Sequence, residues 1–486
     1  MNIYNYKSLI GGGNITDISE YEGVRLICQY WSADQSNTKL DEVKNSKLIF
    51  VGDVHGDINQ FIAPLVLSNL ITITNNVDEV KSYGSKIYIP HYKINKNRIV
   101  KIIYLGDIVN EWIFNRTITY MLYDLLKNAS SNVFYLYGNH DLSLIGRYHL
   151  FKENKLDLSV DIPALWETVK KELNYVKDLK IHHDKAELNG DPVKGAEYVY
   201  KHLLPVFETL YSIMNENLGK LCLPIEINSK NYMLSHTTWA IHGLIELIKT
   251  DKPLIDTGDT KKESSSLPTE DEANQQAVAQ IIKIKIPTTT RPSDTEPTQI
   301  EPITKSTSSK KYTAYIQSII DKIKPFIDEG KLIPPEVHDE IDYVRLAEAV
   351  NIHFQSKSRL YISKNILTST RTTKAIFLNQ IVGHSPGDEF RDQNVNLGQS
   401  TYLKERMAKL LHPAFINKRV IYYFDFGCSA GYDHDEISRP DFVFSSATGL
   451  FVTNLPGFNF IKMNGKDALL VLNDKTPRSP NKIIVE

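Results

Sequence analysis

Five short motifs in this chain place carboxylate, imidazole and amide side chains beside glycine turns or at the ends of apolar runs. In chain order they are Gly52–Asp57, Gly106–Asp107, Gly138–Asp141, His236 and Gly383–His384. Oxygen and nitrogen donors of these types suit hard or borderline divalent metal ions. Two such ions about 3.5–4 Å apart can neutralise a phosphoryl group and activate the water that attacks it. The residue types therefore indicate a dinuclear metal site acting on phosphate esters.

The first three motifs each follow a short apolar run that is rich in β-branched or aromatic residues. These runs occupy residues 48–51, 102–105 and 133–136, and their composition predicts buried strands. Open α/β sheets gather their sites at the carboxyl ends of strands. We therefore expect the motif side chains to meet at one sheet edge.

The spacing of the motifs divides the predicted ligands between two ions. Asp53 and His55 are two residues apart, so both can approach one ion, and Asp107 from the neighbouring strand could bridge the pair. The second ion would be completed by three further side chains: Asn139, His236 and His384. His140 is placed to act on the substrate. For His236, which follows a predicted strand, the alternative is an ordinary strand-end histidine.

Composition limits the remaining function classes. The 486 residues are 42% hydrophobic and 23% charged, with a net charge of −2, which is typical of a globular protein and gives no general attraction to nucleic acid or anionic membrane. Three widely separated cysteines fit a reducing compartment. The amino terminus has no signal-peptide pattern, and no apolar run is long enough to span a bilayer. We expect an intracellular protein without nucleic-acid or membrane partners.

The pattern of apolar residues along the chain predicts an α/β fold with insertions. The predicted divisions are an amino-terminal extension (1–45), a first core part (46–250) with a helical insertion at about 145–220, a disordered linker (251–311), a helical segment with the second core part (312–472), and a flexible tail (473–486). The linker is predicted from its Ser, Thr, Pro, Glu and Lys content. Within the extension, residues 24–28 suggest an added strand. In the first core part, residues 74–98 suggest a loop or small hairpin inserted before the second predicted strand.

Four of the motifs closely resemble the calcineurin-like metallophosphoesterase family. They are Asp53–Gly56, Gly106–Asp107, Gly138–Asp141 and Gly383–Pro386. The resemblance spans about half the chain and implies a β-sandwich flanked by helices. Residues 421–427 and the lone histidine at 384, with Pro386 where many members have a second histidine, resemble the branch of serine/threonine phosphoprotein phosphatases and diadenosine tetraphosphate hydrolases.

This resemblance implies hydrolysis of phosphomonoesters by a hydroxide held between two divalent ions, with His140 protonating the leaving oxygen. Manganese is the preferred metal; iron, zinc and magnesium also suit the ligands. The expected substrate is phosphoserine or phosphothreonine in protein. The alternatives are a nucleotide or dinucleoside polyphosphate hydrolase, and a weakly active or inactive binding protein of the same fold.

The second motif departs from the phosphatase pattern, in which an aspartate and an arginine follow the Gly-Asp pair. This chain has Asn110 and Glu111 there. Asn110 can hold His140 through a hydrogen bond but supplies no charge. Arg147 or Arg116 could replace the missing arginine in binding the phosphate group. Arg147 could instead be a solvent-exposed charge on a helix. Asp57, Asp141 and Asp425 could support the ligands or stabilise turns.

Two further expectations concern the surroundings of the protein. The 251–311 insert is where protein partners would bind. The abundance of Asn, Ile, Lys and Tyr, with the Ile10–Gly13 opening, resembles proteins of large DNA viruses. A viral protein of this kind would act in the host cytoplasm or the virion.

Overall fold

The fold is taken from a computed structural model of the chain, which describes part of its length. The described residues are 20–32, 48–56, 58–109, 114–152, 192–227, 230–249, 307–356, 376–384, 414–416, 419–423, 449–454, 457–462 and 470–473. The predicted disordered linker and flexible tail lie outside them, with two exceptions. A helix begins at Thr307, within the last residues of the predicted linker, and a strand ends at Asn473, the first residue of the predicted tail.

Thirteen strands and nine helices can be described. The strands are β1 (Leu48–Val51), β2 (Ile71–Ser82), β3 (Ser85–Ile94), β4 (Lys101–Tyr104), β5 (Val133–Tyr135), β6 (Cys222–Ile227), β7 (Lys230–Ser235), β8 (Gln380–Val382), β9 (Ala414–Ile416), β10 (Arg419–Tyr423), β11 (Gly449–Asn454), β12 (Gly457–Lys462) and β13 (Leu470–Asn473). The helices are α1 (Glu20–Ser32), α2 (Ile58–Leu67), α3 (Asn115–Asn128), α4 (Asn139–Lys152), α5 (Pro192–Asn215), α6 (Ile241–Lys249), α7 (Thr307–Asp328), α8 (Pro335–Asp339) and α9 (Tyr343–Ser356).

The first sheet has the strand order β13-β12-β11-β1-β4-β5. Strand β4 runs parallel to both β1 and β5, whereas β11, β12 and β13 add an antiparallel edge. The parallel strands are almost fully apolar and buried, as strands covered on both faces must be. Their carboxyl ends therefore lie side by side and deliver the first three motifs to one edge.

The second sheet has the order β6-β7-β8-β10-β9. Its three central strands, β7, β8 and β10, are parallel, with Ser235 opposite Val382 at the ends of β7 and β8. His236 and Gly383–His384 follow those two residues directly, so this sheet delivers the remaining motifs side by side. The mixed helices and sheets confirm the predicted α/β fold class.

The predicted strand at residues 24–28 is wrong, because this segment lies in helix α1. Val24, Ile27, Cys28 and Trp31 recur at helical spacing and are all buried, which is the pattern of an amphipathic helix. The helix packs on the hairpin of β2 and β3, where the Cys28 thiol donates to the Asn76 carbonyl over 3.2 Å. The hairpin was predicted as a loop or small hairpin, and its strands are long.

Helices cover the sheets and close the core. Helix α3 continues from the second motif and packs against α5, while α7 and α9 pack together beside α6 and β6. Buried residues of both sheets and these helices form one hydrophobic cluster. None of the described helices is long and apolar enough to cross a membrane.

Candidate metal centre

The first motif leaves β1 in a loop that is fastened to the second motif through backbone hydrogen bonds. The Val54 and His55 N–H groups donate to the Asp107 carbonyl over 3.0 and 2.7 Å, and the Gly56 N–H donates to the Ile108 carbonyl over 2.8 Å. This network brings the Asp53 and His55 side chains to the carboxyl end of β4, where both are buried.

Helix α4 begins at the third motif and is tied to Asp107 as well. The His140 N–H donates to Asp107 Oδ1 over 2.9 Å. Asp141, fully buried, accepts from the Gly138 and Ile108 N–H groups, each over 3.0 Å. Burial and the neighbouring Asp107 charge raise the pKa of Asp141 to about 6. Asp141 therefore fastens the second motif to the third, so it supports the ligands rather than only its own turn.

The second sheet contributes two histidines, His236 and His384, to the same site. His236 is fully buried, and its Nδ1 donates to the Leu105 carbonyl over 2.8 Å, which directs Nε2 towards Asn139 Oδ1, 2.9 Å away. The His384 N–H donates to Asp53 Oδ1 over 2.9 Å, and the two imidazole centroids are 4.7 Å apart. A backbone carbonyl on one ring nitrogen is how proteins commonly orient the other nitrogen towards a metal.

These side chains form two overlapping groups that share one carboxylate. One group contains Asp53, Asp107, His236 and His384, and the other contains His55, Asp107 and His140; in each, one donor atom per residue lies within 4.8 Å of all the others. The shared residue is Asp107, which the sequence predicted as the bridge between two ions.

The distances between the candidate ligand atoms match those expected between ligands of one metal ion. Asp107 Oδ2 is 3.3 Å from His236 Nε2 and 3.9 Å from His55 Nε2, and His55 Nε2 is 3.6 Å from Asp53 Oδ2. Ligand atoms about 2.1 Å from a tetrahedral ion lie about 3.4 Å apart. Most of these pairs are too far apart for a good hydrogen bond, but they are well spaced for a shared cation.

Asp107 Oδ2 supplies the test of whether a cation fits. This buried atom makes no hydrogen bond with the described part of the chain, although an unsatisfied carboxylate oxygen is costly to bury. Burial alone would raise the pKa of Asp107, but the imidazoles of His236, His140 and His55 hold that pKa well below its usual range. Burial also opposes charge on His236, yet Asp107 and Asp53 raise its pKa to about 10. The negative charges of Asp107 and Asp53, which stabilise a proton on His236, would also stabilise a metal cation.

Glycines of the motifs are required because ligands from other motifs lie directly against them. A Cβ atom on Gly383 would be 2.7 Å from Asp53 Oδ1, and one on Gly106 would be 2.5 Å from His236 Nδ1. A Cβ on Gly138 would overlap the Asp107 carboxylate. Each glycine thus allows a backbone to approach a ligand that no other residue would permit.

Three of the predicted ligands adopt a left-handed backbone conformation. The φ angles of His55, Asp107 and His384 are +47°, +46° and +57°. Residues with a Cβ adopt such angles at a cost of about 1–3 kcal/mol each, and they persist only where surrounding contacts impose them. The loops are therefore shaped for the positions of the side chains rather than for local backbone stability.

His140 is more exposed than two of the other imidazoles of the described site. Its side chain is 30% exposed, whereas those of His55 and His236 are 5% and 0% exposed; His384, like His140, is only partly buried. Its Nε2 is 3.8 Å from Asp107 Oδ2, and its ring contacts the His55 ring edge-on at 5.1 Å. His140 thus touches the site from the solvent side, where a substrate would enter.

Arg116, predicted as a phosphate-binding residue, lies in helix α3. Its guanidinium forms a buried ion pair with Glu20 of helix α1, so that its charge is already compensated within the fold. The phosphate-binding role of Arg116 stays a prediction. Arg147 lies in α4, but its side chain is outside the described residues, as are Asn110, Asp57 and Asp425.

The two groups of candidate ligands share one carboxylate at the edge of an α/β fold. This arrangement is typical of proteins with a dinuclear metal site. Residues 46–253, somewhat less than half of the chain, match the family model for calcineurin-like phosphoesterases. The match implies metal-dependent phosphoester hydrolysis and includes every predicted ligand except His384. Neither the curated proteins nor the solved structures gave a match to this chain.

Proposed function

We propose that this protein hydrolyses phosphomonoesters, with phosphoserine and phosphothreonine in proteins as its substrates. The observation that carries the hydrolytic proposal is the buried Asp107 Oδ2, which lies where the two groups of candidate ligands overlap. The substrate class is supported by the sequence resemblance of the first motif and of His384 to the phosphoprotein phosphatase branch.

In this proposal six side chains hold two divalent ions. Asp53, His55 and Asp107 serve the first ion, and Asp107 also serves the second, whose other ligands are Asn139, His236 and His384. Manganese is the proposed metal, and the mixed nitrogen and oxygen donors suit iron, zinc or magnesium as well. When bound, the ions neutralise phosphoryl charge and lower the pKa of a water molecule.

The remaining steps belong to residues of this chain. His140, at the solvent side of the cluster, protonates the leaving oxygen of the ester. Its position is set by its own N–H bond to Asp107 Oδ1, and we assign Asn110 to its support. Arg147 remains the proposed phosphate grip because Arg116 is paired with Glu20.

The pairing of Arg116 also supports a second candidate, a weakly active or inactive protein that binds partners through this fold. The second motif lacks the arginine expected from the phosphatase pattern, and the ion pair removes one possible substitute. In either case we propose an intracellular protein whose partners dock on the 251–311 insert. A dinucleoside polyphosphate hydrolase is the enzyme alternative.

The deciding experiment measures hydrolysis by the purified protein with Mn²⁺ present. The substrates are p-nitrophenyl phosphate, phosphoserine and phosphothreonine peptides, and diadenosine tetraphosphate. We expect His140→Ala to lower kcat by about 10²–10⁴-fold while Mn²⁺ stays bound, and Asp107→Asn to lose both Mn²⁺ and activity. His242→Ala, at an exposed histidine on α6, is the matched control and should retain wild-type rates.

Equal rates in wild type, Asp107→Asn and His140→Ala would refute the proposed site. Wild-type Mn²⁺ binding without turnover of any substrate would favour the binding-protein alternative. Preference for diadenosine tetraphosphate over phosphopeptides would replace the proposed substrate class but keep the metal centre.

A further inference from the structure

Gln380, the first residue of β8, clamps the backbone of the loop that follows His236. Its Oε1 accepts from the Trp239 N–H over 2.6 Å, and its Nε2 donates to the Trp239 carbonyl over 3.1 Å. Gln380 and Trp239 are both fully buried. One side-chain amide thus satisfies both polar groups of one buried peptide residue, which would otherwise be costly.

The clamped loop begins at a candidate ligand. Residues 237–239 follow His236 directly, and the loop is also fastened by the Ser235 hydroxyl, which donates to the Thr237 carbonyl over 2.7 Å. The His236 ring contacts Leu105 and Asn139 of the first-sheet side. The two hydrogen bonds of Gln380 thus fasten the segment after His236 to strand β8 of the second sheet.

The other end of the clamp leads to the second histidine. Strand β8 pairs in parallel with β7, and Met233 lies opposite Gln380 in that register. His384 follows four residues after Gln380 and returns to Asp53 through its backbone N–H. Gln380 therefore adds a side-chain link, between the loop after His236 and the strand that leads to His384, to the backbone pairing of β7 and β8.

We infer that Gln380 is a positioning residue that sets the spacing of His236 and His384 and thereby the affinity of the second ion. This inference rests on the proposed function, since it assigns those histidines to that ion. Gln380 touches neither histidine through a hydrogen bond described in the structure, so it acts through the 236–239 loop. Partners of ligands commonly affect metal affinity by about 10–100-fold.

Asn351 offers a matched control, because it makes the same kind of clamp elsewhere. In α9 its Oδ1 accepts from the Leu221 N–H and its Nδ2 donates to the Cys222 carbonyl, both over 2.9 Å. This amide supports the start of strand β6, which pairs with β7 on the side opposite β8. Its removal costs the same two hydrogen bonds without removing a bond between β8 and the loop after His236.

The test is calorimetric titration of the full-length protein with Mn²⁺ alone, with the melting temperature measured in parallel. We expect wild type to bind two ions. Gln380→Met, close in volume, should bind the first ion as wild type does and the second at least about tenfold more weakly. Asn351→Leu should lower the melting temperature similarly but bind both ions normally. Gln380→Glu keeps an acceptor for the Trp239 N–H, so its second affinity should be intermediate.

Unchanged binding of both ions by Gln380→Met overturns the inference, and so does equal weakening of the second ion in Asn351→Leu. Should Gln380→Met not fold, an unaltered second affinity in Gln380→Glu is by itself sufficient to overturn it. A wild-type protein that binds no Mn²⁺ would instead refute the proposed metal centre. The two failures can therefore be told apart: in the first, wild type binds no Mn²⁺, and in the second, wild type binds two ions and the Gln380 variants bind them equally well.

Discussion

The two sheets hold their candidate ligands in different ways. On the first sheet, the loops after β1, β4 and β5 are fastened to one another by backbone N–H groups that donate to Asp107 and Asp141. On the second sheet, the backbone pairing of β7 with β8 places the segments carrying His236 and His384 side by side, and the amide of Gln380 adds a buried side-chain link to the loop after His236. The first arrangement depends on glycines and backbone shape, and the second adds a side-chain clamp to its backbone pairing.

We therefore expect the two halves of the site to respond differently to substitution. Backbone bonds survive most substitutions, except those that add atoms where the backbones meet. Side-chain clamps disappear with one substitution at the clamping residue. The following predictions test this contrast, beginning with the largest expected effect.

Gly138→Ala should abolish metal binding and lower any hydrolytic activity by at least about a hundredfold, the upper range for residues that support ligands. The added methyl group would overlap the Asp107 carboxylate, so the whole first-sheet half must shift. Gly330→Ala is the control: its added Cβ would meet no atom within 4 Å, although, unlike Gly138, Gly330 has a positive φ that alanine rarely adopts. Mn²⁺ titration and initial rates measure both. Normal Mn²⁺ binding by Gly138→Ala would contradict the contrast.

Breaking the pair of Glu20 and Arg116 should affect stability and not the site. Glu20→Gln or Arg116→Met leaves a buried charge without its partner, for which we expect a loss of about 3–5 kcal/mol in the free energy of unfolding. The double variant should regain much of this loss. Urea unfolding measures the stability, and KM for p-nitrophenyl phosphate measures the site. A large rise in KM at unchanged fold in Arg116→Met would restore Arg116 as a phosphate ligand.

Protonation of His338 at acid pH should lower the free energy of unfolding. This histidine in α8 is buried, and its Nδ1 donates to the Phe377 carbonyl, just before β8, over 2.7 Å. Burial, followed by the charge of Arg419, lowers its pKa from 6.5 to about 4. The unfolded chain therefore binds the proton more tightly than the fold does. Stability is unaffected above pH 6.5, falls as pH drops from 6.5 towards 4, and changes no further below that.

The loss attributable to His338 at pH 5 is at most about 2 kcal/mol. His338→Asn keeps a donor for the Phe377 carbonyl but does not titrate, so its unfolding free energy should depend less on pH between 6.5 and 4. Urea unfolding at several pH values compares the two proteins. Identical pH dependence would remove His338 from this role.

Much of the first-sheet half could be predicted from the sequence. The apolar runs ending at Val51, Leu105 and Leu136 are followed at once by polar motifs, so local pattern alone places the side chains at one edge. Helical segments at about 145–220 and after residue 312 were predicted from the spacing of apolar residues in the same way. The α1 segment was misassigned because five residues rich in β-branched side chains fit a strand as well as a helix, and only Trp31 extends the helical spacing.

The contacts of the second-sheet half could not be predicted in this way. Nothing around Gln380 or Asn351 forms a motif, because a side-chain clamp depends on which backbone happens to lie opposite after folding. The same holds for Arg116, whose partner Glu20 lies in a separate helix. The predicted domain divisions, viral origin and intracellular location stay predictions.

The hydrogen bond from the His384 N–H to Asp53 Oδ1 joins residues 331 positions apart. During synthesis the strands carrying Asp53, Asp107 and Asn139 leave the ribosome long before β8 does, and domains fold as their chain emerges. The carboxylate motifs are therefore synthesised well before His384, the last of the candidate ligands. We expect any metal to be acquired late, and a chain ended before β8 would hold most of the candidate ligands without a closed site.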